Sequence, residues 1–390
     1  MQLRLKFTEM MEFLEGHLGY LAQYAVNFSH SKKVGEALSS AYGDLLSFCT
    51  GARNVFVDSQ GSESRWTSFR IFLRTTWEPF EEGFNTLNSN FRNHVDIVIR
   101  TAAITEHERL LSKEMLEAEE KEDQLRHELL AWLSELDFDK DHERIYSRSH
   151  GDTGNWLIDS SKFKDWEDSK ESSLLWCYGT PGVGKSVLAS LVLETISAKY
   201  SLNSRIGVAL VYFNFQEQGV QKSIKVLSTM IKQLARQKKV LPKELKHFYK
   251  QYYREASFPT EGKLEAQLAD LSASFDQAFL VMDAMDEFED REGFLPIISR
   301  FAQGSSSIHG PPRNGSTLFK IFVTSRREKD IEKTFTSCNF PTIQIEAKKV
   351  DADIETFIQY QLKERSGDVI MDQKLKDKIA KALISKSSGM

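Results

Sequence analysis

Eight consecutive residues, Gly179-Thr180-Pro181-Gly182-Val183-Gly184-Lys185-Ser186, have the types and spacing to cradle a polyphosphate. The pattern is G-x-x-x-x-G-K-[ST], the P-loop. Glycines let backbone N–H groups turn toward phosphate oxygens where a Cβ would block the approach. Lys185 then reaches the β- and γ-phosphates, and the Ser186 hydroxyl ligates Mg²⁺. The apolar run Leu174-Leu175-Trp176-Cys177-Tyr178 predicts a strand leading in. Val187, Leu188, Leu191, Val192 and Ile196 predict a helix leading out, whose N-terminus favours the same anion.

A second cluster follows about 100 residues later. Phe279-Leu280-Val281-Met282 leads into Asp283-Ala284-Met285-Asp286-Glu287, the Walker B pattern. Asp283 is the candidate Mg²⁺ ligand, through water. Asp286 and Glu287 are both candidates to orient or deprotonate an attacking water, with a slight lean to Asp286. A third strand end, Thr324-Ser325-Arg326, offers a guanidinium that can contact a γ-phosphate. Taken alone, acids after a strand are usually a solvated turn, and a strand-end arginine is usually a surface ion pair. Following a P-loop, both read as site residues.

These groups need a scaffold that brings distant strand ends together. Ile206 to Phe215 predicts a second strand, 278–282 a third, 318–323 a fourth and 342–345 a short last one. Helical spacing separates them at Ile224, Leu227, Ile231 and Leu234, at 241–256 with Pro242 at its start, and at 264–274. Such alternation predicts an α/β fold with a parallel sheet covered on both faces and ligands beyond its C-terminal strand ends. Helices are also expected at 351–364 and 374–385, and a flexible loop at 304–316.

Upstream, residues 1–104 read as a helical bundle. Leu14, Leu18, Leu21, Ala25 and Phe28 share one face, and Val34, Leu38, Ala41, Leu45 and Phe48 another. Trp77, Phe80, Phe84, Leu87, Phe91 and Val98 mark a third helix after a polar loop at 58–64. Residues 105–136 predict a charged connector helix whose stripe returns at Leu125, Leu129, Leu130, Leu133 and Leu136. The approach segment 137–166 carries His142, Arg148 and Trp156. Its tryptophans read as core, with the alternative that Arg148 to Trp156 wall a base and ribose pocket.

Among 390 residues the formal net charge of −5 argues against nucleic acid as a partner. Cys49, Cys177 and Cys338 lie far apart, which signals neither zinc nor a disulfide framework and suits a reducing compartment, the cytosol or nucleus, with a cytoplasmic setting expected. Glu9, Glu12 and Glu15 interrupt the first apolar positions, against a secretory leader. Membrane contact by the N-terminal bundle has no support in the spacing.

The chain resembles the STAND-class P-loop NTPases, specifically fungal NACHT or nephrocystin-3-like proteins, over about residues 125–390. The matching residues are Thr153-Gly154-Asn155-Trp156-Leu157 with Trp166, residues 179–186, Asp283-Ala284-Met285-Asp286-Glu287 and Thr324-Ser325-Arg326. Small Ala284 before the paired acids looks like the NACHT variant, and Asp353-Ile354 looks like the segment after the family's last strand. More loosely, residues 7–104 look like the helical domain found before this NTPase in filamentous fungi. The resemblance implies an α/β P-loop NTPase at 137–350 behind an all-α N-terminal domain, with the start of a helical lid at 351–390. It implies ATP or ADP with Mg²⁺, GTP being the alternative nucleotide. ADP would hold a closed monomer, and ATP would open it into ring-like oligomers. The N-terminal domain would then signal to a downstream protein, often in self/non-self recognition or cell death. Family members continue into a winged helix and sensor repeats, whereas this chain stops at Lys386-Ser387-Ser388-Gly389-Met390. An incomplete lid and absent ADP-locking elements are therefore expected.

Two other functional classes compete: a scaffold that binds nucleotide without turnover, and a P-loop enzyme of another kind. No N-K-x-D and no L-S-G-G-Q motif occurs, which disfavours Ras-type GTPases and ABC transporters.

Overall fold

The structure is a computed structural model that describes residues 2–57, 78–147, 149, 153–217, 219–304, 317–364, 378–379 and 381–383. The predicted loop at 58–64, Trp77, Arg148, most of 304–316, most of the helix expected at 374–385, and residues 386–390 lie outside them. The chain divides into two compact units, Met1–Asp123 and Gln124–Met390.

In the first unit, α1 (Gln2–Asn27), α2 (Lys32–Val57) and the N-terminal part of α3 (Glu78–Leu133) share one apolar core. Leu14, Leu21, Val34, Ala41, Phe48, Phe91 and Val98 are buried in it. Each large side chain so buried contributes roughly 1.5–3 kcal/mol. Leu18, expected on the buried stripe, is 43% exposed. It lies at the margin of the face that Leu14 and Leu21 define. The His94 ring and the Asp44 carboxylate join α3 to α2, with Nδ1 2.6 Å from Oδ2. The third helix and the charged helix read from the sequence are one continuous α3. Charged residues with high helix propensity carry it where no stripe is needed.

The second unit is built on a five-stranded parallel sheet of order β2-β3-β4-β1-β5. Its strands are β1 (Ser173–Tyr178), β2 (Ile206–Tyr212), β3 (Gln277–Asp283), β4 (Leu318–Ser325) and β5 (Thr342–Gln344). From Ala278 to Asp283 every residue of β3 is buried, and so is every residue of β4 from Phe319 to Ser325. That is why these strands read as unbroken apolar runs.

Leading into the sheet are α4 (Asp139–Tyr146), α5 (Asn155–Ile158) and α6 (Ser161–Asp168). Ser160 caps α6 by accepting the Phe163 N–H at 3.2 Å. After β1, α7 (Lys185–Tyr200) packs on β2, β3 and β4. Between β2 and β3 come α8 (Ser223–Arg236), α9 (Lys243–Arg254) and α10 (Glu261–Ser272). The remaining helices are α11 (Arg291–Ala302), α12 (Lys329–Ser337) and α13 (Ala347–Glu364). Leu129 and Leu133, near the end of α3, are fully buried in this unit's core. Trp166 and Trp176 are core residues, each 2% exposed. No helix among the described residues is long and apolar enough to cross a membrane.

Candidate functional site

The chain leaves β1 toward β2 on one side and leaves β4 toward β5 on the other. A crevice opens at such a reversal, beyond the carboxyl ends of the strands. Register sets Tyr212 beside Asp283, and Cys177 and Tyr178 beside Thr324 and Ser325. The loops after β1, β3 and β4 therefore meet at one end of the sheet.

The loop after β1 needs its glycines for two different reasons. Gly182 and Gly184 have φ of 84° and 81°, left-handed values that a Cβ disfavours. At Gly179 the constraint is space. A Cβ there would lie 2.8 Å from Val183 Cγ2 and 3.1 Å from Ile345 Cβ. The first-turn amides of α7 have no partner within the helix, which makes this terminus an anion site.

Lys185 folds into the loop. Its Nζ donates to Gly179 O at 3.1 Å and to Thr180 O at 2.9 Å. Burial pushes its pKa below the usual lysine range, while Asp286 and Asp283 pull it back up. Arg326 adds to the lowering and Glu287 opposes it. The four charged groups named from sequence at the ends of β3 and β4 thus all act on this one ammonium.

Asp283 is 3% exposed, and burial raises its pKa above the ordinary carboxylate value. Hydrogen bonds from the Ser186 and Thr324 hydroxyls oppose that rise, as does the Lys185 charge. The Thr324 hydroxyl donates to Asp283 Oδ1 at 2.5 Å and accepts the Ala284 N–H at 3.1 Å. Ala284 has φ 55°, an uncommon value for a residue with a Cβ. That turn starts the short 3₁₀ turn Met285–Glu287 and lifts the two acids clear of the strand. A hydroxyl and a carboxylate side by side are hard oxygen donors, so Ser186 and Asp283 fit a Mg²⁺ ion.

Asp286 has a side chain only 6% exposed, and both its oxygens face Arg326. Oδ1 accepts the Arg326 backbone N–H at 2.9 Å, and Oδ2 lies 3.1 Å from Nε. Arg291 braces the same turn by donating to Asp286 O at 2.9 Å and to Asp330 at 2.6 Å. Glu287 Oε2 accepts the Phe215 N–H at 3.1 Å, linking the turn to the segment after β2. Behind β4, Trp176 Nε1 donates to Ser325 Oγ at 2.8 Å. Cys177 is buried and its thiol is pushed up to about 12, which removes it as a nucleophile.

Beside the loop lies a cleft of about 160 Å³. Gly182, Val183, Gly184, Val187 and Leu188 border it on one side, Gly154 and Trp156 on a second, and Val350, Ile354 and Phe357 of α13 on the third. Its size suits one planar ring system; pockets for drug-sized molecules run to roughly 300–1,000 Å³. Thr153 and Trp156 belong to the segment weighed above as a base wall. His142 stands apart from this cleft, its ring 2.7 Å from Glu194 Oε1 of α7 and 3.0 Å from the Tyr212 hydroxyl.

Two participants carried no sequence signal of their role. Thr324 was visible only as part of a motif, and its bond to Asp283 depends on the β3–β4 pairing. Asp353 meets Gly154 across 199 residues, with the N–H 3.0 Å from Oδ2. Only a resemblance pointed to that aspartate.

Residues 152–326 match the family model described as nephrocystin 3, N-terminal. The chain is also 25% identical over 275 residues to the vegetative incompatibility protein HET-E-1 of Podospora anserina. That alignment takes in 67% of this chain and 19% of the relative, so the chain spans about a fifth of that protein's length. With the five-stranded parallel sheet, the two matches support a fungal protein of the NACHT kind on a P-loop NTPase fold.

Proposed function

We propose that this NACHT-like chain is a nucleotide-binding signalling switch, taking ATP or ADP with Mg²⁺ and hydrolysing ATP slowly. One observation carries the reading: Lys185 sits inside the glycine loop with Asp286, Asp283, Arg326 and Glu287 as its charged neighbours. A triphosphate in that loop would replace the two carbonyls that Lys185 now meets with phosphate oxygens, a charge-assisted exchange. Mg²⁺, when bound, neutralises charge on the β- and γ-oxygens.

The roles divide by geometry. Ser186 and Asp283 would hold the ion. Asp286 commits both oxygens to Arg326, so it is a positioning residue that aims the guanidinium at the γ-phosphate. Glu287 also has a partner, the Phe215 N–H, so both acids stay candidates for orienting the water. The cleft beside Trp156 takes the base, and its apolar walls accept adenine by stacking and shape.

The name of the relative, a vegetative incompatibility protein, suggests the biological setting of self/non-self recognition. In that setting the nucleotide state would control self-association and signalling by the helical first unit. The test is to release and identify the nucleotide that co-purifies with the chain, then assay turnover with Mg²⁺. ADP or ATP in the extract supports the reading, and no nucleotide with no turnover overturns it.

A further inference from the structure

We infer that Asp353 is the latch that fixes α13 as a wall of the base cleft, a positioning residue for nucleotide retention. The inference rests on the nucleotide reading above and deepens it.

The Asp353 carboxylate is the polar bridge across the cleft. Its Oδ2 accepts the Gly154 N–H at 3.0 Å and the Trp156 indole N–H at 3.1 Å. Both donors belong to a turn that is pressed on the P-loop helix. Gly154 has φ 82°, and a Cβ there would lie 2.8 Å from Leu191 Cδ2 and 2.9 Å from Leu188 Cδ2. The turn therefore moves with α7, and Asp353 ties α13 to it.

The root of α13 is also anchored. Ile345 N–H donates to Tyr178 O at 2.9 Å, two residues before the helix begins. Beyond that root, Val350, Ile354 and Phe357 face the cleft, and Phe357 is 36% exposed. With Phe357 so exposed, the two hydrogen bonds to the half-buried Asp353 carboxylate are the polar tie between α13 and the turn. Asp353 is half-buried; burial raises its pKa while both donors oppose the rise. A base in the cleft touches the anchored turn on one side and α13 on the other, so the latch sets how long it stays.

The phosphate half of the site makes no use of Asp353, and this separates the latch from general stability. The experiment uses the 390-residue chain and three variants: Asp353→Ala, Asp353→Asn and Trp156→Phe. Asn keeps an acceptor oxygen, whereas Ala removes both bonds and Phe removes one donor. Dissociation of N-methylanthraniloyl-ADP is followed by stopped flow, and binding of inorganic tripolyphosphate by calorimetry. The expected result is dissociation at least tenfold faster in Asp353→Ala, a smaller rise in Trp156→Phe and near-parent behaviour in Asp353→Asn. Tripolyphosphate affinity should stay within twofold throughout.

Parent dissociation rates in Asp353→Ala and Trp156→Phe overturn the latch while leaving the site intact. Equal loss of nucleotide and tripolyphosphate also overturns it, as a merely structural effect. If Asp353→Ala does not fold, Trp156→Phe and Asp353→Asn decide by the same criteria. A parent chain that binds no nucleotide overturns the nucleotide reading and the latch together.

Discussion

Arg326 and Asp286 are joined twice, by the arginine's backbone N–H at 2.9 Å and its Nε at 3.1 Å. The carboxylate is nearly buried and the guanidinium half exposed, so the acid holds and the base reaches out. Removing either group should remove the same function. Asp286→Ala and Arg326→Ala should each slow ATP hydrolysis about tenfold, and the double variant should be no slower than the worse single one. Single effects that multiply in a double-mutant cycle would show that the two side chains act independently.

Burial disfavours the charged form of the Asp283 carboxylate. Its folded pKa lies above the unfolded value of 3.8, so the folded state binds more protons in the window just above 3.8. Stability from this group therefore falls as pH rises through that window. Asp283→Asn should weaken Mg²⁺-dependent nucleotide binding at least tenfold without lowering the melting temperature. A variant that binds nucleotide with Mg²⁺ like the parent would remove Asp283 from the ion site.

Lys320 lies at the far end of the sheet, fully buried in β4, with Nζ donating to Glu171 O at 2.8 Å. Burial lowers its pKa to about 8, against the pull of Asp168 and Glu171. The unfolded chain then holds the extra proton between about 8 and 10.5, so this group adds stability as pH rises across that range. Lys320→Met should flatten that rise in urea unfolding measured from pH 7.5 to 10. A parent slope equal to the variant's would place the proton elsewhere.

The outer edge of β2 is closed by side chains. Gln237 bonds both the N–H and the C=O of Val208, at 3.0 and 2.6 Å. Gln233 does the same for Leu210, at 2.7 Å each way. Spaced one helical turn apart on α8 and its C-terminal cap, the two amides imitate a neighbouring strand. An open edge of this kind invites pairing with another chain. Gln233→Ala with Gln237→Ala should cost about 1–3 kcal/mol and increase light scattering on warming. Unchanged stability and scattering would mean water covers the edge equally well.

The strands were legible because burial on both faces writes itself as apolar runs, and the candidate site residues follow two of them. Asp283 and Arg326 stand where those runs stop. Several helices were not legible. Pro296 lies inside α11, where the residue usually breaks a helix. With only 4 and 8 residues, α5 and α6 show too little periodicity. The second strand was read as running to Phe215, but it ends at Tyr212. Gln221 takes the Tyr212 carbonyl there, and Phe213 stacks on Phe288 at 4.4 Å. Partners such as Asp353 with Gly154 depend on the closed fold and leave no local pattern.

A nucleotide site at residues 179–186 requires contact between Lys185 and a polyphosphate. Calorimetric titration of the parent chain with ATP and Mg²⁺, beside Lys185→Ala, tests it most directly. A charge-assisted contact in a partly dry loop is worth roughly 1.5–3 kcal/mol. The expected result is saturable binding in the parent and affinity at least tenfold weaker in the variant, with the fold unchanged by circular dichroism. Equal affinities in the two proteins, or no binding in either, would contradict a nucleotide site at residues 179–186.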